Sequence, residues 1–136
     1  MAQTSMDDYR DFEVDVRRYA RTVLPKEINE FKQKVAFQVL NGLVMLTRVD
    51  TGRARGGWQV TLAIPAIGES GTLDKNGSST VEREAIRVLE SRYGEDIYIT
   101  NNVHYIVWLN YGTTTREGDH FVERVLADVE SQFEAA

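Results

Sequence analysis

The chain has 136 residues, of which 42% are hydrophobic and 27% charged, as expected for one globular domain. Its 16 lysines and arginines are outnumbered by 21 aspartates and glutamates, and the net charge of −5 argues against an autonomous nucleic-acid-binding domain, which needs a basic surface. The absence of cysteine excludes thiol catalysis, thiolate metal sites and disulfide bonds.

The sequence contains no candidate membrane segment or signal peptide. No stretch approaches the roughly 20 apolar residues that a membrane span needs. The first residues are acidic and lack the basic start and apolar run of a secretory signal. We therefore expect the protein to be made in the cytoplasm and to have no contact with a membrane.

The first predicted element is a helix over residues 7–23. Pro25 should end this helix, because the residue before a proline disfavours helical geometry, and the same proline suits the first turn of a new helix. We predict that residues 1–24 form an N-terminal helix or arm and that residues 25–136 form a single domain. The apolar residues on one face of the first helix are Tyr9, Phe12, Val16, Tyr19 and Val23.

A second, longer helix is predicted over residues 28–47. Its apolar stripe is broad, as in a buried helix face, and Gly42 within it indicates close packing of another element. The Asp50-Thr51-Gly52 run that follows is a turn by composition. The stripe consists of Ile28, Phe31, Val35, Ala36, Val39, Leu40, Leu43, Val44 and Leu46.

A strand, a loop and a third helix come next. Residues 58–64 alternate between apolar and polar positions, which predicts a half-buried strand that ends at Pro65. Residues 66–80 are rich in Gly, Ser, Asn and Asp and predict an exposed, mobile loop. Ser79 and Glu82 form a candidate capping box for the third helix. That helix would bury Val81, Ala85, Val88, Leu89 and Tyr93 on one face, with Gly94 as its C-terminal cap.

The last third of the chain predicts a short strand over residues 97–100, a short helix over 105–112, a polar loop over 112–118 and a final helix capped by Asp119. The order of elements indicates an α+β fold. We predict a small, mainly antiparallel sheet packed by the long helix and the C-terminal helix, with the N-terminal arm outside it. The predicted face of the final helix is Phe121, Val122, Val125, Leu126, Val129 and Phe133.

Asp50-Thr51-Gly52 is the one string that could indicate catalysis. Aspartic proteases carry Asp-Thr-Gly on a loop, and small ones act as dimers in which two aspartates share a proton. A dimeric aspartic-type hydrolase that uses Asp50 is therefore one alternative. The surrounding sequence opposes it, because the preceding pattern is helical and Arg53 follows the glycine where a small residue is needed.

The other polar residues predict neither a metal site nor a nucleophile. His104 and His120 are sixteen positions apart, with no acidic residue at metal-ligand spacing. The serines of the predicted loop lack the strand–turn–helix context of a nucleophile elbow. We expect no catalytic residue, no metal and no cofactor.

Two groups of residues suit a protein interface. Arg48, Arg53 and Arg55 cluster around the turn, and arginine pairs with carboxylates in two-point geometry. The aromatic residues of the short helix are more often part of a core, although tyrosine and tryptophan are also favoured anchors at interfaces.

The runs 49–58 (VDTGRARGGW), 99–105 (ITNNVHY) and 109–113 (LNYGT) carry a resemblance to a known family. They resemble two blocks of the tail-completion, or head–tail neck, proteins of long-tailed bacteriophages: an apolar-Asp-Thr-Gly-Arg/Asn-Leu-Arg stretch, and an Asn after a strand followed by a Tyr and an aromatic-Gly-Thr. The chain departs from that pattern at Ala54, at Gly56-Gly57 and at Asn110.

The resemblance implies a structural protein of the virion neck or tail, assembled in the host cytoplasm, that joins head and tail. It implies a homo-oligomeric ring and contacts with an adjacent neck or stopper protein and a tail terminator or tail-tube protein. DNA would pass nearby without specific binding. Two further alternatives are a tail terminator or other neck component, and a small regulatory or interaction module of a bacterial host.

In this interpretation the turn and the aromatic residues place docking surfaces and break no bond. The two loops, 66–80 and 112–118, would become ordered on contact with a partner. The residues expected to build the corner or the interface are Asp50, Thr51, Gly52, Arg53, Arg55, Trp58, Asn101, Tyr105, Trp108, Tyr111 and Gly112.

Overall fold

A computed structural model describes residues 15–134 of the chain. Residues 15–18 are α-helical, Tyr19–Val23 form a π-helical turn, and helix α1 (Leu24–Leu46) continues from it. Residues 15–24, called the arm below, are exposed throughout. The part of the predicted first helix that falls on residues 7–14 lies outside the described residues.

The predicted break at Pro25 is wrong, because the helix continues through it. Proline lacks an N–H donor, and its ring crowds the carbonyl four residues earlier. The π-helical turn just before Pro25 uses wider i→i+5 bonding, in which the Leu24 N–H donates to the Tyr19 carbonyl. This local widening accommodates the proline without ending the helix.

Six elements follow α1. They are the one-turn helix α2 (Arg53–Gly56), strand β1 (Trp58–Thr61), helix α3 (Ser78–Glu90), strand β2 (Tyr98–Asn101), the short helix α4 (Ile106–Tyr111) and helix α5 (Phe121–Glu134).

The two strands pair antiparallel, with Trp58 opposite Asn101 and Thr61 opposite Tyr98. Helix α1 packs against both α3 and α5, and α3 also packs against β1. The prediction of an α+β fold with a small antiparallel sheet, a long helix and a C-terminal helix is confirmed. Within residues 15–134, no helix combines the length and the apolar character needed to cross a membrane.

The core lies where α1, α3, α5 and the sheet meet. Leu40 and Val44 of α1, Val60 of β1 and Phe121 of α5 are almost completely buried. Close packing at Gly42 is also found, since a Cβ added there would lie 2.8 Å from a methyl carbon of Val125. The glycine therefore lets α5 approach α1.

Several predicted element boundaries and faces are wrong. Strand β1 ends at Thr61, and Ile64 is 64% exposed because the chain bends where the Thr61 hydroxyl donates to the Ile64 carbonyl. Leu89 of α3 and Leu126 of α5, both expected inside, are exposed. In place of Leu89, α3 buries two polar residues, Thr80 and Glu84.

Candidate functional site

The Asp50-Thr51-Gly52 corner connects α1 to α2. Gly52 has a φ of +90°, and its carbonyl accepts hydrogen bonds from the Gly56 N–H (2.8 Å) and the Asp74 N–H (3.1 Å). A Cβ at Gly52 would lie 2.7 Å from the Asp74 nitrogen, so both the conformation and the space require glycine. The corner thus holds a distant segment of the chain by its backbone.

That distant segment belongs to the stretch predicted to be an exposed, mobile loop, and it is instead anchored at Asp74. The Asp74 carboxylate is buried and accepts hydrogen bonds from the Gly77 N–H (3.0 Å), the Thr80 N–H (2.8 Å) and the Thr80 hydroxyl (2.7 Å). Gly77 is the N-cap of α3, not Ser79 as predicted. Asp74 thus satisfies the free N–H groups at the start of α3, a role that the sequence analysis missed.

The pKa of Asp74 reflects this position. Burial alone would raise it, but the hydrogen bonds from Thr80 and Gly77, together with the charge of Arg83, hold the pKa of Asp74 below its usual value. The carboxylate is therefore ionised in the folded protein at neutral pH.

Asn101 brings together the two segments that carry the family resemblance. Its side-chain amide donates to the Ala54 carbonyl (2.7 Å), 47 positions away, and its Oδ1 accepts from the Val103 N–H (3.1 Å). A Cβ at Gly57 would lie 2.8 Å from that oxygen, so the glycine is needed for the strand end and α2 to meet. The two runs therefore form one continuous corner of the molecule.

Arg55 lies on the inside of this corner. Its guanidinium donates to the carbonyls of Met45 (2.9 Å), Thr47 (3.0 and 3.2 Å) and Lys75 (2.8 Å). It therefore binds carbonyls at and just beyond the C-terminal end of α1, where a cation is favourable, and joins them to the loop before α3. Arg55 therefore has a structural role within the chain, and its contact with a partner stays a prediction.

Arg53 lies on the outside. It forms a two-point pair with Glu69 at 2.8 and 2.6 Å, and its guanidinium carbon lies 5.6 Å from the centre of the Tyr105 ring. The hydrogen bond with Glu69 raises the pKa of Arg53 and lowers that of Glu69. The pair holds one edge of the corner against the start of α4.

A depression of about 230 Å³ opens beside the corner. Three arginines line it, Arg48, Arg53 and Arg116, and Arg48 is paired with Asp119. Asp50 is the one carboxylate among the residues that line it; it is exposed, and its side chain forms no bond within residues 15–134. The depression therefore presents three arginines and one exposed carboxylate.

Three apolar residues of α4, Val107, Trp108 and Tyr111, form an exposed patch, called the α4 patch below. Trp108 is 56% exposed and Tyr111 is 63% exposed. The imidazole of His104 packs edge-on against both Tyr105 (5.1 Å) and Trp108 (6.2 Å). Large aromatic residues left exposed together are typical of protein-binding surfaces.

Trp58 does not contribute to this surface. It is only 4% exposed, its indole N–H donates to the Thr47 hydroxyl (2.8 Å), and its ring meets Phe121 edge-on at 6.1 Å. Of the four aromatic candidates, Trp58 is a core residue, Tyr105 supports Arg53, and Trp108 and Tyr111 lie outside.

Gly112 reverses the chain after the α4 patch. Its φ is +89°, its N–H donates to the Trp108 carbonyl (2.8 Å), and it pairs with Glu117 as an isolated antiparallel bridge. The loop predicted over 112–118 is thus a small hairpin-like turn with exposed threonines at its tip, Thr113, Thr114 and Thr115.

Sequence reasoning missed Asn110, which joins α4 to α5. It is 3% exposed; its Oδ1 accepts from the Val122 N–H (3.1 Å), and its amide donates to both carboxylate oxygens of Glu123 (3.2 and 3.1 Å). Asn110 thus caps the first turn of α5, the role predicted for Asp119, which pairs with Arg48 instead. A lone asparagine in an aromatic helix gave no sequence signal for this role.

No family model, curated protein or solved structure matches this chain. Within residues 15–134, no group of three or more His, Asp or Glu side chains is arranged to hold a metal ion. The corner, the depression and the α4 patch are therefore the features of the molecule that bear on its function.

Proposed function

We propose that this chain is a structural component of a tailed phage or prophage that joins head and tail, by docking to other copies of itself and to adjacent neck and tail proteins. The observation that carries the proposal is that the two segments with a neck-protein resemblance meet through Asn101 and Ala54. The corner they form is next to the α4 patch, because Tyr105 and Leu109 line the same depression as Arg53.

The chemistry of this surface supports docking to a protein partner. Trp108 and Tyr111 supply apolar area with few rotatable bonds, and Arg116 at the adjacent depression is exposed with no ion pair in the described chain. A partner that presents an apolar pocket flanked by carboxylates would match both groups. The corner and the Asn110 bonds keep α4 in place before the partner arrives.

The proposal is tested in the phage or prophage that encodes the chain. Deleting the gene should leave filled heads and separate tails in electron micrographs. A Trp108→Ala, Tyr111→Ala double variant should reproduce that defect while its purified form unfolds at the wild-type temperature, since both side chains are exposed.

Tyr93→Ala is the matched control, because Tyr93 is also an exposed aromatic residue but follows α3, away from the α4 patch. This variant should support joined, infectious particles. Normal particles after gene deletion would refute the proposed function.

The Asp50→Asn variant distinguishes the proposed assembly role from an aspartic-type hydrolase. An aspartic-type hydrolase would lose all cleavage of a peptide library at acidic pH, and it would do so without a change in stability. We expect that the wild-type protein cleaves no peptide in this assay. We also expect that phage carrying the Asp50→Asn variant form joined particles.

A further inference from the structure

One edge of the sheet carries backbone groups that the described part of the chain does not pair. Val60 of β1 lies opposite Ile99 of β2, and the Val60 N–H points away from β2, because it donates to the Glu84 carboxylate (3.1 Å). Antiparallel strands alternate between residue pairs that bond to each other and pairs whose N–H and C=O groups point outward. The N–H and C=O groups of Ile99, and those of Asn101 two positions later, therefore point to the free side of β2.

An apolar groove, called the α1–β2 groove below, runs along this edge. Its volume is about 760 Å³, and α1 and the residues at the start of β2 line it. Ile28 and Phe31 of α1 are 44% and 53% exposed there. The apolar face of α1 is thus left uncovered beside the last strand of the sheet. The apolar lining includes Ile28, Phe31, Val35, Val39, Ile97 and Ile99.

The unpaired edge determines which kind of segment fits the groove. A helix laid on α1 would cover apolar surface, but its own N–H and C=O groups are used internally and would leave Ile99 and Asn101 unpaired. An extended segment beside β2 supplies both kinds of group, and every second side chain of it points towards α1. Charge does not select the occupant, because Lys32 and Asp96 both line the groove.

The same edge leads to the α4 patch. Asn101, at the end of β2, lines a depression of about 130 Å³ together with Val107 and Tyr111 of that patch. An extended segment that follows β2 therefore has the α1–β2 groove at one end and the α4 patch at the other. The edge is continuous with the surface proposed above for docking.

We propose that the outer edge of β2 binds an extended segment of a partner protein, which pairs with Ile99 and Asn101 and places apolar side chains in the α1–β2 groove. The segment has apolar residues at alternate positions and no proline where it pairs with β2, because proline lacks the N–H donor. The inference rests on the proposed function for the partner, which is an adjacent neck or tail protein, and it adds the form in which that partner binds.

Amide hydrogen exchange of the full-length protein, followed by NMR, tests the pairing. The probe is a short synthetic peptide with blocked ends that alternates valine with threonine. We expect it to slow exchange of the Ile99 and Asn101 N–H groups by about tenfold or more. The N–H groups of Tyr98 and Thr100 should change little, since they already face β1 in the ladder.

Two N-methylated forms of the probe distinguish backbone pairing from apolar contact. Methylating every valine nitrogen, or every threonine nitrogen, removes the N–H donors from one side of the extended peptide only. One form should bind about tenfold or more weakly, and the other should bind like the unmodified probe. Loss on valine methylation indicates antiparallel pairing with β2, and loss on threonine methylation indicates parallel pairing.

Ile28 and Phe37 provide a matched pair of variants on α1. Each side chain is 44% exposed, but Phe37 lines a depression between α1 and α5 instead of the α1–β2 groove. Ile28→Glu should weaken binding of the probe by about tenfold or more, because it places a carboxylate against the apolar side chains of the peptide. Phe37→Glu should leave binding unchanged, and thermal unfolding checks that both variants fold.

Even protection across residues 98–101, equal binding of the two methylated forms, or no binding of the probe would overturn the inference. Protection of Ile99 and Asn101 without peptide, increasing with protein concentration, would show that a second copy pairs there and would overturn it as well. These measurements use the purified protein, whereas the head–tail proposal is judged on phage particles, so the failure of one is distinguishable from the failure of the other.

Discussion

Arg53 and Arg55 lie two positions apart on one helical turn, and they face different surroundings. Arg55 donates only to backbone carbonyls of the protein's own chain, whereas Arg53 pairs with Glu69 at the surface. The sequence alone identifies the arginine cluster but does not show which arginine is bound within the chain. The reason is that the carbonyls that bind Arg55 come from the end of α1 and from the loop before α3. Within its own chain, Arg55 is therefore a structural brace.

Replacing the brace should cost stability. Arg55→Ala leaves four hydrogen bonds to carbonyls unmade, and we expect the free energy of unfolding in urea to fall by about 1–3 kcal/mol. Arg53→Ala is the matched control and should change it little, since its ion pair with Glu69 is open to solvent. Equal losses in the two variants would contradict the assignment.

Alanine substitutions at Gly52 and Gly71 distinguish the stability cost of backbone strain from that of a steric clash. Both have positive φ, but a Cβ at Gly52 would meet the Asp74 backbone at 2.7 Å, while a Cβ at Gly71 would meet nothing within 4 Å. Gly71→Ala should cost about 1 kcal/mol from strain alone. Gly52→Ala should cost clearly more, or prevent folding, and thermal unfolding of both variants measures the difference.

Asp74 should make the protein acid-sensitive. Its pKa is lower in the folded than in the unfolded chain, so its contribution to stability is present above about pH 4 and is lost as the pH falls further. Asp74→Asn should lower the unfolding temperature at pH 7, and the gap from wild type should narrow towards pH 3. Asp50 is exposed and its side chain forms no bond in the described chain. Asp50→Asn should therefore leave the unfolding temperature unchanged at both pH 7 and pH 3.

At the scale of elements, periodic patterns predicted the helices well. The 3.6-residue repeat gave α1 and α5, and the alternation after Gly57 gave β1, because these elements bury one face against a common core. The predicted element boundaries are wrong where they depend on features that the local pattern does not show. Pro25 looked like a stop but is accommodated by a π-helical turn, and the loop before α3 looked free but is held by Asp74.

Part of the candidate site could also be predicted from the sequence. The turn chemistry of Asp50-Thr51-Gly52 and the backbone bonding of Asn101 follow from the residue types themselves. The alternation of residues 58–64 is compatible with a buried Trp58, but the aromatic, apolar run around Trp108 does not indicate that the Trp108 side chain is exposed. Their separation depends on how β1 and α4 pack around Phe121.

For the whole molecule, the described part of the arm contributes exposed surface rather than core. A chain that starts at Pro25 should therefore keep the circular-dichroism spectrum and the unfolding temperature of the body, since proline suits the first turn of a helix. Loss of solubility or of cooperative unfolding would show that the arm belongs to the core.

Within residues 15–134, the two-stranded sheet leaves the outer edge of β2 as the border at which another strand could be added. On the outer side of β1, the Val60 N–H is bound by the Glu84 carboxylate at 3.1 Å and the Trp58 carbonyl by Arg83 at 3.5 Å, so two α3 side chains occupy the groups that a further strand would need. If two molecules paired their sheets through the outer edges of β2, the combined sheet would have no open edge left for a further strand. Strand addition therefore stops at a four-stranded pair, and fibrillar growth through this sheet is blocked without any proline or lysine placed there for the purpose.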